Sequence, residues 1–425
     1  MQPIKVYKFG GASVRSAEGI ENLRRIVARE TGRLFIVVSA MGKTTNALEE
    51  VLAYTMRGDK EAALERFGEI QRYHDDTVRT LFPDSEGPRP RLETLYDEIR
   101  TTIRNGSPDD DYDRLYDRIV SCGELLSTTV VSEYLSARGL SNRWIDMRRC
   151  LITSDRFREA DVDTARSEVL LRETVECAPE RLFVGQGFIG ATPDGEPTTL
   201  GREGSDYSAA LIGAMLGAES VSIWKDVDGI LNADPRLFDD TVLIPRMGYL
   251  DAIELAYSGA QIIHPKTIKP LQNKGIPLYV RPFGDCTKPG SVICAEAHGP
   301  LGIPVRILKQ DQILVSIRPR DFSFVLEQRL PDIFAVFARY RQKINLIQSS
   351  AVNLSLCIDD SRHLQTVVGE LQTDFRVVYN KNMELLTIRG YDPDSYRRYV
   401  EQAPGVYLVQ KTRRTVRIVR RKAER

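Results

Sequence analysis

Four short loops rich in glycine, serine or threonine each follow an apolar run that is typical of a β-strand. They lie at residues 10–13 (GGAS), 39–42 (SAMG), 185–188 (GQGF) and 201–206 (GREGSD). Glycine lets the backbone approach a ligand closely, and the N–H groups at the start of a helix favour an anion. Any one of these loops is also typical of a plain strand-to-helix turn. Their recurrence favours a phosphate-binding site.

Lys8 stands at the end of the first predicted strand, two residues before the pair Gly10 and Gly11. An ammonium group there can reach a phosphoryl group that the glycines admit, and phosphoryl transfer depends chiefly on positioning and charge neutralisation. A solvated surface lysine is the alternative interpretation, because most lysines are exposed. The loops match no Walker A pattern, and no GxGxxG motif follows the first strand, which disfavours a dinucleotide-binding fold.

The composition excludes several classes of protein. The chain has 425 residues, with 59 basic and 59 acidic side chains, six cysteines and four histidines. Its length predicts two or three domains, and the balanced charge argues against a nucleic-acid binder. The cysteines form no CxxC pair and the histidines have no metal-ligand spacing, so we expect a cytoplasmic protein without a metal site of its own. We also expect neither a secretion signal nor a membrane span.

The elements that must position these residues follow an α/β pattern. Apolar runs lead into loops and amphipathic helices, and strands are predicted at 4–9, 34–38, 143–147, 181–184, 220–224 and 276–280. Strands that are buried on both faces and alternate with helices predict a mainly parallel sheet, with ligands beyond the carboxyl ends of its strands. Residues 56–120 are charged and helical, and indicate a helical insertion in a catalytic domain of residues 1–300.

The pattern changes near residue 300, where short alternating strands and a few helices replace the glycine-rich loops. The segments 314–318 (LVSIR) and 385–389 (LLTIR) resemble each other. Helices are predicted at 330–341 and 363–371, and further strands at 344–347 and 354–357. We therefore predict a weak repeat of a small α+β unit over residues 305–425, with an incomplete second copy.

Five motifs, taken in order, resemble the aspartate kinases. They are KFGGASV at 8–14, VSAMGKTT at 38–45, SCGE at 121–124, TLGREGSDYSA at 199–209, and WKDVDG with DPR between 224 and 236. The segment after residue 305 resembles the paired ACT regulatory domains of that family. The resemblance implies an amino acid kinase fold followed by ACT-like domains. It also implies ATP-dependent phosphorylation of L-aspartate to 4-phospho-L-aspartate, the first step toward lysine, threonine and methionine.

The resemblance implies two catalytic residues. Lys8 would neutralise charge on the transferring phosphoryl group, with Gly10 and Gly11 in contact with the phosphates. Asp206 would organise the catalytic lysines or the metal. No general base is needed, because the attacking carboxylate of aspartate is already ionised at neutral pH.

The resemblance also implies which residues hold the substrates. Glu124 would receive the amino group of aspartate, and Arg202 would clamp its α-carboxylate. A guanidinium suits a carboxylate, and a carboxylate suits an ammonium. Ser39, Thr45 and Ser205 would contribute further substrate contacts.

The nucleotide is expected over residues 225–236. Lys225, Asp226 and Gly229 would contact ATP, and Arg236 would lie near its phosphates. Mg²⁺ would bridge the phosphates, held largely by substrate oxygens and water. A polar loop after a strand is the simpler alternative for this segment.

Four positions depart from the family pattern. Ala12 stands where threonine is usual, Lys225 also replaces a common threonine, and Leu231 replaces a common tyrosine. Gln261 stands where the family often has a lysine that contacts the nucleotide. We therefore expect Lys225 or Lys266 to supply the missing charge.

The regulatory role of the C-terminal segment is open at the level of sequence. The resemblance nominates Ile344, Asn345 and Ser350 as effector contacts for lysine or threonine, although the neutral Asn345 replaces a common aspartate. A dimerisation platform is an equal alternative, because sheet edges of such units commonly pair; we expect a homodimer or a higher homo-oligomer. The basic residues of 411–425 fit a charged terminal strand better than a nucleic-acid site.

The sequence disfavours two other functions. Another amino acid kinase, acting on glutamate, acetylglutamate or a nucleotide, is disfavoured because Glu124 and Arg202 together suit both poles of an α-amino acid. A catalytically inert amino-acid sensor is disfavoured because Lys8, Arg202 and Asp206 are all present.

Overall fold

The structure is a computed structural model that describes residues 3–260, 263–295, 302–320 and 329–422. The expectation for Gln261 lies outside these residues. The described chain divides into two compact units. The C-terminal unit contains the described residues after 301 and also the segments 231–242 and 254–260, which the sequence pattern had grouped with the catalytic region. The remaining described residues form the N-terminal unit.

Helices occupy much of the N-terminal unit and a smaller part of the C-terminal unit. Their bounds are α1 (Ala17–Ala28), α2 (Thr44–Met56), α3 (Lys60–Leu81), α4 (Arg89–Asn105), α5 (Tyr112–Val120), α6 (Cys122–Ala137), α7 (Thr164–Glu176), α8 (Gly204–Leu216), α9 (Tyr249–Ser258), α10 (Pro265–Lys274), α11 (Leu330–Arg339), α12 (Leu364–Leu371) and α13 (Pro393–Tyr396). No helix in the described part of the chain is both long and apolar enough to cross a membrane.

The strands form two large sheets and a small hairpin. Their bounds are β1 (Ile4–Phe9), β2 (Arg33–Val38), β3 (Arg143–Ile145), β4 (Leu182–Gln186), β5 (Ile189–Ala191), β6 (Pro197–Thr199), β7 (Ser220–Lys225), β8 (Arg246–Gly248), β9 (Leu278–Pro282), β10 (Ser291–Cys294), β11 (Val305–Pro319), β12 (Ile344–Ser349), β13 (Leu354–Asp359), β14 (Phe375–Arg389), β15 (Val406–Lys411) and β16 (Thr415–Arg421).

The N-terminal unit is built on a sheet in the order β3-β4-β2-β1-β7-β9-β10-β8. The first six strands in this order, β3, β4, β2, β1, β7 and β9, run parallel to one another. Strand β10 pairs antiparallel with β9. Residues 34–38 of β2 are fully buried, as are Val6 and Phe9 of β1. Burial on both faces explains why these strands are continuous apolar runs. The predicted parallel α/β sheet flanked by helices is confirmed.

The register of the sheet brings the predicted loops to one edge. Phe9 at the end of β1 lies beside Val38 of β2 and Trp224 of β7, and Val38 lies beside Gln186 of β4. The carboxyl ends of four neighbouring strands are therefore level. The loops that follow them must share one side of the sheet, which is where ligands bind in folds of this type.

The helical region predicted between 56 and 120 consists of α3, α4 and α5. Asp59 and Asp111 cap α3 and α5, since each side chain accepts a hydrogen bond from a backbone N–H of the first turn. Pro90 lies in the first turn of α4, where the missing N–H costs nothing. Phe67 and Tyr96 are fully buried where α3 meets α4, with ring centroids 6.0 Å apart.

The C-terminal unit contains an antiparallel sheet in the order β12-β13-β11-β14-β16-β15. The two similar segments of the sequence, 314–318 and 385–389, lie in the long strands β11 and β14, which pair with each other. Val416, Ile418 and Val419 of β16 are fully buried. The expectation of a charged terminal strand is confirmed, but β16 is an interior strand, and β15 forms the edge.

A close contact between α8 and β7 gives the first testable prediction. A Cβ atom on Gly213 of α8 would lie 2.5 Å from a methyl group of Val221, which is fully buried in β7. We expect Gly213→Ala to lower the free energy of unfolding by about 1–3 kcal/mol through overpacking. Gly68 lies in α3 with no atom within 4 Å of its added Cβ. Gly68→Ala is the matched control and should stabilise the protein by about 0.5–1 kcal/mol in urea unfolding.

Candidate active site

A buried ion-pair cluster lies at the carboxyl end of the parallel sheet. Lys8 near the end of β1 and Asp206 in the first turn of α8 are 8% and 4% exposed. Their Nζ and Oδ1 atoms are 2.6 Å apart. Lys225, the last residue of β7, places its Nζ 3.3 Å from the other carboxylate oxygen of Asp206. One carboxylate therefore holds two ammonium groups from neighbouring strands.

The lysines determine the charge state of Asp206. Burial alone would raise the pKa of this carboxyl, but the positive charges of Lys8 and Lys225 outweigh burial and hold the pKa below its usual value. Asp206 is therefore ionised at neutral pH. The cluster carries two positive charges and one negative charge, so it retains a net positive charge for an incoming anion.

Glu124 forms a second buried acidic group in the same unit. It is 3% exposed in the first turn of α6, and its Oε1 accepts a hydrogen bond of 3.1 Å from the backbone N–H of Ala40. Its other oxygen, Oε2, is buried without a hydrogen-bond partner. Burial raises the pKa of Glu124 to about 8, although the Ala40 N–H and the charge of Lys8 oppose the shift. A buried oxygen without a partner is a place where a ligand donor can bind.

The first glycine pair, Gly10 and Gly11, lies close to Lys8 and to the loop that follows β2. A Cβ on Gly10 would lie 3.5 Å from the Nζ of Lys8, which is an ordinary contact distance. A Cβ on Gly11 would lie 2.6 Å from the carbonyl oxygen of Ala40. Gly11 thus lets the two loops touch, and Gly10 places its backbone beside the Lys8 ammonium.

The loop after β4 supports the start of α8 in a similar way. A Cβ on Gly187 would lie 2.5 Å from the Cβ of Ser205, the buried residue that precedes Asp206. Glu203, which precedes α8, has a left-handed φ of +55° and accepts a hydrogen bond of 3.0 Å from the N–H of His264. His264 in turn caps α10, where its Nδ1 accepts from Lys266 N–H. His264 thus has a structural role at the start of α10.

The other predicted substrate contacts differ in their exposure. Ser39 and Thr45 are half-buried, on the loop after β2 and the first turn of α2, and Ser205 is buried. Arg202 is exposed in the turn before α8. The structure therefore joins Lys8, Asp206 and Lys225 by direct contacts, while the roles of the other residues stay predictions.

The predicted nucleotide segment divides between the two units. Asp226 is exposed after β7, and Gly229 is buried so closely against Ser291 that a Cβ would lie 2.6 Å from the serine oxygen. Arg236 belongs to the C-terminal unit, where its guanidinium pairs with Asp234 at 2.7 Å. Its proposed contact with phosphate stays a prediction.

Sequence reasoning missed two features of the site. It assigned Lys225 to the nucleotide but not to Asp206, since only the parallel pairing of β1 with β7 brings these strand ends together. It also missed Glu203, because a left-handed residue that is not glycine leaves no pattern in a single sequence. The sequence signal for the contact between Lys225 and Asp206 was the presence of a lysine near the end of both strands, Lys8 in β1 and Lys225 in β7.

The residues present do not form a dedicated metal cage. In the described chain, no three His, Cys, Asp or Glu side chains come close enough to hold a metal ion. The two buried acids of the site are separately engaged, Asp206 by lysines and Glu124 by Ala40 N–H. This donor set fits a cation that arrives with phosphate oxygens and water better than one held by the protein alone.

Comparison with known proteins identifies the family. The profile of the amino acid kinase family matches residues 3–282. The lysine-sensitive aspartokinase 3 of Escherichia coli is 31% identical over 403 residues, which cover 92% of this chain and 88% of that protein. This chain belongs to the aspartokinase family. It is accordingly a kinase, and the predicted amino acid kinase fold with ACT-like C-terminal domains is confirmed.

Two crystal structures of the E. coli aspartokinase III are similar to this aspartokinase. One, in complex with lysine and aspartate, has a TM-score of 0.81 and 28% identity, covering 98% of this chain and 95% of that chain. The other, in complex with aspartate and ADP, has a TM-score of 0.79 and 28% identity, covering 98% and 96%.

The buried pair of this aspartokinase gives the second prediction. Lys8→Met leaves Asp206 with only the more distant Lys225, and we expect the free energy of unfolding to fall by about 3 kcal/mol. Asp206→Asn added to Lys8→Met should restore part of that loss, giving a large coupling energy in a double-mutant cycle. The exposed pair Lys288–Asp228, at 2.9 Å, is the control and should show a coupling below about 1 kcal/mol. Equal coupling for both pairs would contradict the assignment.

Proposed function

We propose that this protein phosphorylates the side-chain carboxylate of L-aspartate with ATP, giving 4-phospho-L-aspartate and ADP. The observation that carries the proposal is the buried, unpartnered Oε2 of Glu124, in the same unit as the positive cluster of Lys8, Asp206 and Lys225. The carboxylate suits an ammonium, and the cluster suits phosphate. Family membership and the E. coli relative crystallised with aspartate and ADP support it further.

The reaction needs charge neutralisation more than proton transfer. A carboxylate oxygen of aspartate attacks the γ-phosphorus, a new O–P bond forms, and the bond from the γ-phosphorus to the bridging oxygen of ADP breaks. The nucleophile is already ionised, so no general base is required. Lys8 and Lys225 stabilise the negative charge on the phosphoryl oxygens, and Asp206 keeps both ammonium groups in place.

Glu124 selects a substrate with a free amino group. Its pKa of about 8 means that the carboxyl is largely protonated at neutral pH before substrate binds. The ammonium of aspartate stabilises the ionised form, so binding releases a proton from Glu124. Arg202 would pair with the α-carboxylate, and Ser39, Thr45 and Ser205 would complete the contacts. Acetylglutamate has no ammonium group, which disfavours it.

Mg²⁺ and the nucleotide are the remaining ligands. Mg²⁺ supplies charge neutralisation between the phosphates, and it would be held by phosphate oxygens and water. Lys225, Asp226 and Gly229 would contact ATP, with Gly10 and Gly11 near its phosphates. Arg236 would contribute a further positive charge.

Regulation is assigned to the C-terminal unit. We propose that an end-product amino acid acts there, in a homodimer or larger homo-oligomer. Ile344 and Asn345 of β12 are half-buried, and Ser350 is exposed directly after that strand. The E. coli relative is named as lysine-sensitive, which supports such regulation. Inhibition assays with lysine and threonine would decide which amino acid acts.

The decisive experiment is an acyl-phosphate trapping assay with hydroxylamine, ATP and Mg²⁺. Aspartate should be turned over, while glutamate and acetylglutamate should give little product. No turnover of aspartate by folded protein would refute the proposed function and would favour a sensor without catalysis. Turnover of acetylglutamate in place of aspartate would favour the other kinase class.

Glu124 gives a prediction that depends on pH. We expect the apparent affinity for aspartate to increase as pH rises toward about 8, because below the pKa of Glu124 binding must first remove its proton. Glu124→Gln should raise KM for aspartate at least 10-fold and abolish this pH dependence. Calorimetry in buffers of different ionisation enthalpy should detect proton release for the native protein only.

The same group affects stability with a defined sign. Since the pKa of Glu124 is raised from its usual 4.5 to about 8, the native state binds a proton that the unfolded chain releases between these values. Stability without substrate therefore falls as pH rises from about 5 to 8. Glu124→Gln should reduce this slope. Glu133→Gln, on the same helix but half-exposed beside Arg91, is the control and should leave both slope and KM unchanged.

Lys225 gives a prediction for the nucleotide. We expect Lys225→Ala to raise KM for ATP and lower kcat, because the charge lost lies beside Asp206 and Lys8. Lys266→Ala is the comparison, since Lys266 is exposed in the first turn of α10. Unchanged ATP kinetics in both variants would show that neither lysine compensates for Gln261.

A further inference from the structure

A small pocket in the C-terminal unit is lined by basic side chains that the kinase reaction does not use. It lies where β11, β12, β14 and β16 come near the end of α9, and it encloses about 10 Å³ beneath a mouth open to solvent. That volume holds one atom of the size of a water oxygen. Among the nine described residues that line it, three are basic and none is acidic.

The basic groups are Lys309, Lys343 and Arg417, from three different strands or strand starts. Lys309 is half-buried, and burial lowers its pKa, with the charges of Lys343 and Arg417 adding to the shift. Lys343 and Arg417 are thus each close enough to repel the ammonium of Lys309. An anion among them would remove that repulsion.

Neutral contacts hold two of these cations in place. The Nζ of Lys309 donates to the side-chain oxygen of Asn345 at 2.8 Å, and the guanidinium of Arg417 donates to the backbone oxygen of Asn345 at 3.3 Å. Gly259, with a φ of +112°, packs so closely over the aliphatic part of Lys309 that a Cβ there would clash with it. The lysine is therefore positioned by packing as well as by its hydrogen bond.

The carboxylate of Asp359 acts on Lys309 and only partly balances these charges. Asp359 favours the charged form of Lys309, but its Oδ1 already accepts hydrogen bonds from Asn345 Nδ2 at 2.6 Å and Gln312 Nε2 at 2.9 Å. Three cations against one carboxylate leave a net charge of about +2 around the cavity. Such a site repels the ammonium of a ligand and attracts its anionic end.

We propose that this pocket binds one small oxyanion, a phosphate or a carboxylate, with a single oxygen in the cavity. Lys309, Lys343 and Arg417 supply the charge, and the hydroxyl of Thr387, which also lines the pocket, supplies a neutral partner. Phosphate and carboxylate share this chemistry. Ile344 and Asn345, the proposed effector contacts, also line this pocket, so the inference rests on the proposed regulation by the C-terminal unit and names the ligand group that binds there. It is measured without turnover.

Calorimetric titration of the full chain with inorganic phosphate, and separately with acetate, tests the proposal in a low-chloride buffer. We expect saturable binding with a dissociation constant below about 10 mM. Lys343→Gln and Arg417→Gln should each weaken it at least 10-fold. Lys343 is exposed, so its replacement leaves the fold intact. Lys381→Gln, which removes an exposed lysine of β14 outside the pocket lining, is the matched control and should bind like the native chain.

The outcomes separate the two sources of the oxyanion and the two sites. Tighter binding of phosphate than acetate assigns the pocket to phosphate, and the reverse assigns it to a carboxylate. Absence of saturable binding by either ion would overturn the proposal. Binding that persists in Lys343→Gln and Arg417→Gln but is removed by ADP would also overturn it, because that binding belongs to the active site. The binding measurement does not require kinase activity, so failure of the proposed kinase function would not change its outcome.

Discussion

The structure of the site depends on one requirement, which is that the buried carboxylate of Asp206 must be neutralised. An ionised carboxyl that is 4% exposed is strongly destabilising unless a positive group contacts it. Lys8 does so at 2.6 Å and Lys225 at 3.3 Å, which ties together the ends of β1 and β7 and the start of α8. The parallel pairing of β1 with β7 brings both lysines to the same carboxylate. Its level strand ends place the glycine loops around the same charges.

The two buried acids of the site have opposite properties for physical reasons. Lysines hold the pKa of Asp206 below its usual value, whereas burial beside one N–H raises the pKa of Glu124 to about 8. When the environment shifts the pKa values of two neighbouring titratable groups in opposite directions, the groups commonly have different roles. Asp206 has its partners within the protein and organises the lysines. Glu124 keeps one oxygen without a partner and thus suits a ligand that brings its own positive charge.

The C-terminal unit shows that a local sequence pattern does not determine the electrostatic environment of a residue. Its similar segments lie in the paired long strands β11 and β14, but residues 314–318 pair with 376–380 and residues 385–389 pair with 305–309, so the two segments are not direct partners. The expected effector residue Asn345 binds Lys309, Asp359 and Gln312 through its side chain. Its surroundings are therefore determined by charges on other strands, which a comparison of single positions does not reveal.

The sequence by itself determined the fold class, the family and most elements, because buried strands, amphipathic helices and glycine loops are local patterns that one chain displays. It also identified Lys8, Glu124, Asp206 and Lys225 as residues of interest. Only the tertiary structure decided that Lys225 pairs with Asp206, that Glu124 keeps one oxygen without a partner, and that Glu203 contacts His264. Burial, pairing and pKa depend on groups brought together from distant positions, and that proximity arises only when the chain has folded.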